Sequence, residues 1–193
     1  MAARDGMSAA LIVPTLAAGP FRLRPFALGD IDVVREAASD PHIPLITTVP
    51  AAFTEEAGRR FIERQWERAE QGTGYSFAIA DADTDHAAGQ AGLWLEDVSA
   101  GRASVGYWVV SSARGRQAAA CAVRALTRWA HQDLRIPRLE LHVEPWNTAS
   151  IRTAEKAGFQ REGLLRGWQE VGGERKDMYM YARLAGDPVP PVS

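Results

Sequence analysis

The stretch SSARGRQAAACAVRALTRWA, Ser111 to Ala130, opens as a turn and continues unbroken as a helix. Two arginines and a glycine stand where the helix begins, and a run of small side chains follows. The first turn of a helix presents unpaired N–H groups and the positive end of its dipole. Small side chains there leave the backbone open to close approach. The stretch therefore reads as a seat for a phosphate-bearing ligand. Farther along, Ala122, Ala125, Leu126 and Trp129 share one face while Arg124 and Arg128 share the other. A helix so divided lays its apolar face on a core.

Before this helix, YSFAIA from Tyr75, AGQAGLWLEDV from Ala88 and ASVGYWVV from Ala103 are strand-like runs with short connections, an antiparallel meander. After it, RLELHV from Arg138 places Leu139, Leu141 and Val143 on one side of a further strand. Strand, helix and strand in that order predict one parallel pair inside a mostly antiparallel sheet. Toward the N-terminus, FRLRPF from Phe21 is a short strand, and Asp30 caps a helix that buries Ile31, Val34 and Ala38. DPHIPLITTVP from Asp40 is a loop. Thr54 starts a second helix with a buried stripe of Ala57, Phe61, Ile62, Trp66 and Ala69. Toward the C-terminus, Asn147 caps a helix that Gly158 ends, and a hairpin turns at Gly172-Gly173. The chain divides into a partly disordered segment 1–20, a single domain 21–184 and a flexible tail 185–193.

With 193 residues the chain suits one domain with a sizeable core. A net charge of -2 gives no electrostatic case for nucleic acid or a membrane surface as partner. Cys121 is the only cysteine, which excludes an internal disulfide and a cysteine metal cluster and fits a reducing, cytoplasmic setting. SAALIVPTLAAG is a poor signal peptide, because Pro14 interrupts it and Asp5 precedes it beside Arg4. No apolar run approaches the roughly 20 residues of a membrane span. His42, His86 and His131 are scattered without metal-ligand spacing, so no metal is expected.

Three phosphate-binding patterns compete for ARGRQAA. A nucleotide-hydrolase P-loop needs a lysine followed by Ser or Thr, and neither is present. A dinucleotide fingerprint needs three spaced glycines, and only Gly115 is there. Successive backbone amides holding a pyrophosphate, with Arg114 and Arg116 adding charge-assisted bonds, fit the residues. An ordinary helix start that happens to carry arginines fits them as well. One strand later stands WNTASIRTAEKAGFQREG, Trp146 to Gly163. The two stretches in this order resemble the GNAT superfamily of acyl-CoA-dependent N-acyltransferases. GYWVV, ARGRQAA, NTAS and AEKAGF resemble the branch that acetylates ribosomal-protein N-termini, over residues 21–184.

The resemblance implies an α/β (α+β) fold, a mixed and mostly antiparallel sheet of about six or seven strands. It also implies a sheet splayed at its centre and flanked by about four helices. The pantetheine arm of acetyl-CoA would lie between Trp108, Val109 and Val110 on one edge and Leu141 to Val143 on the other. The pyrophosphate would meet the amides of Arg114, Gly115, Arg116, Gln117, Ala118 and Ala119. Asn147 would line the thiol end, and is also a good N-cap. Ser150 would give the departing thiolate its proton, or is an ordinary first-turn serine. Gln117 replaces the loop's usual second glycine, Ser104 a frequent glutamate, and Ala154 a frequent tyrosine. The general base stays open among Glu96, Glu140, His142 and an ordered water. Cys121, without a histidine nearby in sequence, reads as a structural thiol.

The implied activity is an N-acetyltransferase moving acetyl from acetyl-CoA to a primary amine, a protein N-terminus or a small amine, without an acyl-enzyme. A succinyl- or other acyl-CoA transferase and a non-catalytic acyl-CoA-binding or regulatory domain are the alternatives, and a homodimer is implied by resemblance. The acceptor is expected between the 42–53 loop, the two early helices and the Trp168 hairpin. There Glu170, Glu174 and Asp177 either attract a cationic amine or form a solvated acidic hairpin. Trp66 and Trp94 either line the acceptor slot or pack in the core.

Overall fold

A computed structural model describes residues 10–188. Its strands are β1 (Leu16–Ala18), β2 (Phe21–Arg24), β3 (Gly74–Asp81), β4 (Ala87–Trp94), β5 (Arg102–Val109), β6 (Arg138–Val143), β7 (Gln160–Val171) and β8 (Glu174–Leu184). They form one sheet in the order β1-β2-β3-β4-β5-β6-β8-β7. The pairing is antiparallel except between β5 and β6, which the helical crossover makes parallel. The helices are α1 (Ile31–Ala38), α2 (Ile43–Ile46), α3 (Glu55–Glu70), α4 (Ala118–Gln132) and α5 (Thr148–Lys156).

Alternation along the central strands feeds two cores. Phe77, Ile79, Leu93 and Val105 meet Ala122, Val123 and Leu126 of α4 on one face. On the other, Ala78, Ala88 and Trp108 meet Val34, Phe61 and Ile62 of α1 and α3. Both faces of β3 and β4 are therefore covered, and the strands read as nearly continuous buried runs.

Eight strands exceed the six or seven expected, the addition being β1, whose three residues are too few to show alternation. The fifth helix is α2, inside the expected loop. Asp40 Oδ1 accepts the N–H groups of His42 and Ile43 at 2.9 and 3.0 Å, and Pro44 is tolerated in a first turn. Asp30 does not cap α1 with its side chain. Instead it forms a two-point ion pair with Arg24 and accepts the Ala27 N–H. Thr54 caps α3 as expected, accepting Ala57 N–H at 3.0 Å. The hairpin turns on Gly172 and Gly173, both with positive φ. The disorder expected in 1–20 and 185–193 falls partly on residues 1–9 and 189–193, which lie outside the described residues.

Candidate active site

Parallel pairing between β5 and β6 is confined to Arg102–Ser104 against Arg138–Glu140. Beyond that point β5 continues paired to β4 alone, and β6 to β8 alone. Their facing edges part, and a cavity of about 710 Å³ opens between them. Ser104, Gly106 and Trp108 of β5 line one wall, His142 and Glu144 another. Asn147 and Ser150 line it from the start of α5.

Asn147 is the N-cap, its Oδ1 accepting the Ser150 N–H at 3.0 Å. That bond fixes the first turn and leaves the Ser150 hydroxyl with no partner among the described residues. Tyr107 of β5 donates its hydroxyl to the Ser150 carbonyl at 3.4 Å. Burial pushes the Tyr107 phenol up, partly offset by its bonds to Ser150 and Thr153. Ala154 is completely buried on α5, so the helix carries no phenol at that position. The phenol nearest this turn is thus supplied by a strand rather than by the helix.

The arginine-rich turn lies outside the cavity, past the end of β5. The first bond of α4 runs from Cys121 N–H to Gln117 O at 3.0 Å. The amides of Gly115 through Ala120 consequently have no acceptor among the described residues, as a helix start leaves them. Gln117 has φ 62 and Gly115 φ 80. A glutamine therefore holds the left-handed conformation that a glycine adopts freely. Arg114 pairs with Asp40 at 2.5 Å and Arg116 with Asp81 at 2.6 Å, so both guanidinium groups are engaged by carboxylates. Glu36 at the end of α1 accepts the Ser111 hydroxyl and the N–H and hydroxyl of Ser112. Burial pushes its carboxyl up, yet the serine bonds and the Arg114 charge hold it below its usual range. The turn is clamped from the α1 side.

Of the three residues expected on the coenzyme edge, at the end of β5 and just past it, Trp108 lines the cavity. Its Nε1 donates to Gln90 Oε1 at 2.7 Å. Val109 and Val110 do not line it, and the Val110 amide is consumed by Ala88 O at 3.0 Å. Among the base candidates, Glu140 does not line the cavity and pairs with Arg138 at 2.7 Å, which also holds Glu162. Glu96 is exposed at the rim. His142 lines the cavity, stacked on Trp168 with centroids 5.6 Å apart, and its buried Nε2 has no hydrogen-bond partner among the described residues. Burial pushes its pKa down, with Glu140 opposing, so the ring is neutral near pH 7.

Two of the three hairpin acids are occupied elsewhere, and Glu170 is exposed. Glu174 pairs with Lys176, and Asp177 accepts the Gly167 N–H at 2.7 Å. Trp66 donates to Phe26 O and packs in the α1/α3 core. Trp94 lines the cavity, its indole lying over two glycines. A Cβ on Gly92 or Gly106 would come within 2.8 or 2.7 Å of that ring. Cys121 sits on the far side of the sheet from this cavity, packed against the α4 core.

Further lining residues went unread in the sequence. Glu144, nearly buried, accepts Trp146 Nε1 at 2.8 Å and lies 3.3 Å from His42 Nε2. Arg68 of α3 enters the cavity above a buried network of Gln65, Ser76 and Gln90. No periodicity announces these groups, because their meeting depends on the β3–β4–β5 register and on the rotation of α3. Among the described residues no group of three His, Cys, Asp or Glu is placed to hold a metal. No helix among them is long and apolar enough to cross a membrane.

A mixed sheet parted at its one parallel pair stands beside free amides at the start of the next helix, an opening suited to an extended, anionic ligand. The chain belongs to the GNAT acetyltransferase family, whose domain model matches residues 21–160. It is 32% identical over 162 residues to the uncharacterized N-acetyltransferase p20 of Bacillus licheniformis, covering 84% of this chain and 91% of that protein. The structure of Mycobacterium smegmatis RimJ in complex with CoA-disulfide is similar, at 26% identity and a TM-score of 0.77, over 90% of this chain and 87% of that one. A GNAT-family acetyltransferase from Bacillus anthracis shares the fold, with a TM-score of 0.75 at 23% identity over 90% of this chain and all of that one.

Proposed function

We propose that the protein transfers an acetyl group from acetyl-CoA to a primary amine by direct attack. The parting of β5 and β6 over Asn147 and Ser150 carries this reading, since it supplies unpaired strand edges and a free hydroxyl in one cavity. Those edges would hold the pantetheine arm as an added strand. The free amides of Gly115 through Ala120 fit the pyrophosphate. Arg114 and Arg116 keep spare N–H donors beside that turn, but Asp40 and Asp81 offset their charge, so the backbone is the principal anion binder here.

His142, neutral and within the cavity, takes the proton of the incoming ammonium. A backbone N–H on the free edge of β5 polarises the thioester carbonyl. As the N–C bond forms and the C–S bond breaks, the Ser150 hydroxyl gives its proton to the thiolate. It is reprotonated by the proton that the amine nitrogen sheds on becoming an amide, while the His142 imidazolium returns its proton to solvent. An α-amino group, with a pKa of about 8, asks less of the base than a lysine at about 10.4. The protein N-termini on which ribosomal-protein acetyltransferases act are therefore one suitable acceptor class, and small amines another.

Ser150→Ala tests the assignment. Turnover, read as thiol release over a panel of N-terminal peptides and small amines, should fall by about 10² or more with acetyl-CoA affinity unchanged. An unchanged rate would remove Ser150 from the proton path.

A further inference from the structure

Arg68 is half-buried on α3 and lines the same cavity as Ser150 and His142. Its Nη1 donates to Gln65 Oε1 at 2.6 Å and Ser76 Oγ at 3.1 Å, both neutral acceptors. Gln65 is held in turn by its bond to Phe61 O at 2.5 Å and by Gln90 Nε2 at 2.8 Å. Gln90 also receives the Trp108 indole N–H. The guanidinium is thus seated on a pre-formed platform that reaches from α3 to β5. No carboxylate among the described residues lies within ion-pair distance of it, and Nε and Nη2 have no acceptor there.

The cavity's own acids do not neutralise it. Glu144 accepts Trp146 Nε1 through Oε2 while its Oε1 lies 3.3 Å from His42 Nε2, Asp97 pairs with Arg102, and Glu96 stands exposed at the rim, so none of the three reaches the guanidinium. Arg64 adds a second positive charge nearby, and with burial it pushes the Arg68 pKa down. An arginine does not escape by losing its proton, so the charge persists. A half-buried, oriented cation with spare donors matches the planar, two-oxygen geometry of a carboxylate.

We propose that Arg68 receives a carboxylate of the substrate, so that the cleft selects for an anionic partner. This rests on the acetyltransferase reading, under which the amine acceptor carries that group. A dicarboxylic acyl chain on the coenzyme is the other source of the same chemistry.

Two calorimetric pairs distinguish the sources. CoA-loaded protein is titrated with Ser-Glu-Ala amide and Ser-Gln-Ala amide, and ligand-free protein with succinyl-CoA and acetyl-CoA. Wild type should favour the carboxylated member of one pair by about tenfold or more. A preference within the peptides assigns the carboxylate to the acceptor, and one within the coenzymes assigns it to the acyl chain. Arg68→Gln should abolish the preference and Arg68→Lys should shrink it, with acetyl-CoA affinity held in both. A wild type that treats each pair alike overturns the inference without recourse to a variant, as does a preference that survives Arg68→Gln. Acetyl-CoA binding in the same titrations would leave the proposed function standing. Its absence in wild type would remove the function and the inference together.

Discussion

His142 owes its place in the cavity to the alternation of β6. Leu139, Leu141 and Val143 turn into the α4 core, which sends His142 to the opposite face. Burial lowers its pKa from the ordinary 6.5, because the imidazolium loses solvation there. The base form therefore persists below the usual range. At saturating acceptor, kcat should hold as pH falls through 6.5 and decline only below it, and His142→Gln should erase that limb while lowering kcat about 10²-fold. An acid limb unchanged in the variant would transfer the role to Glu144 beside His42. The same shift acts on stability. The unfolded chain binds this proton more readily, so His142 favours unfolding once pH drops below its unfolded pKa. At this scale the sequence was least informative. Ser150 and Asn147 were legible through the NTAS motif. Glu140 and His142, two positions apart on one strand face, could not be separated before the pairing of Arg138 with Glu140 and Glu162 was known. Arg68 had every mark of a solvated helix charge, because its partners, Gln65 one turn back on α3 and Ser76 on β3, are neutral and come together only in the fold.

At the scale of elements, the start of α4 is the point of greatest local tension. Gln117 adopts a left-handed φ of 62 and makes no side-chain cap bond. A non-glycine residue there costs about 1 kcal/mol. Gln117→Gly should recover part of that cost in thermal unfolding and leave acetyl-CoA affinity unchanged or tighter. A loss of affinity of tenfold or more would show that the carboxamide itself binds the coenzyme. The turn was legible because helix starts have a strong chemical grammar. Its clamp was not, since Glu36 and Asp40 lie more than seventy positions away and reach it only through folding. β1 and α2 escaped notice for opposite reasons. The first is too short to alternate, and the second hides behind prolines that a first helical turn accommodates.

At the scale of the molecule, the order of elements determined the architecture. A meander followed by one crossover admits few arrangements, and the sheet adopts the one with a single parallel pair. That pair is also where the sheet opens, because β5 and β6 share only three residues before diverging to serve β4 and β8. The gap places the parted edges of β5 and β6, Ser150, His142 and Arg68 around one space, although they come from β5, β6, α5 and α3. The central claim is that this gap and the free amides of α4 together hold an acyl-CoA. Calorimetric titration of the full chain with acetyl-CoA, with free CoA beside it, tests that claim most directly. Saturable one-to-one binding, weakened when Gly115→Val disturbs the positive-φ turn, is the expected result. No binding of either coenzyme form would contradict the claim and leave the parted sheet without its proposed role.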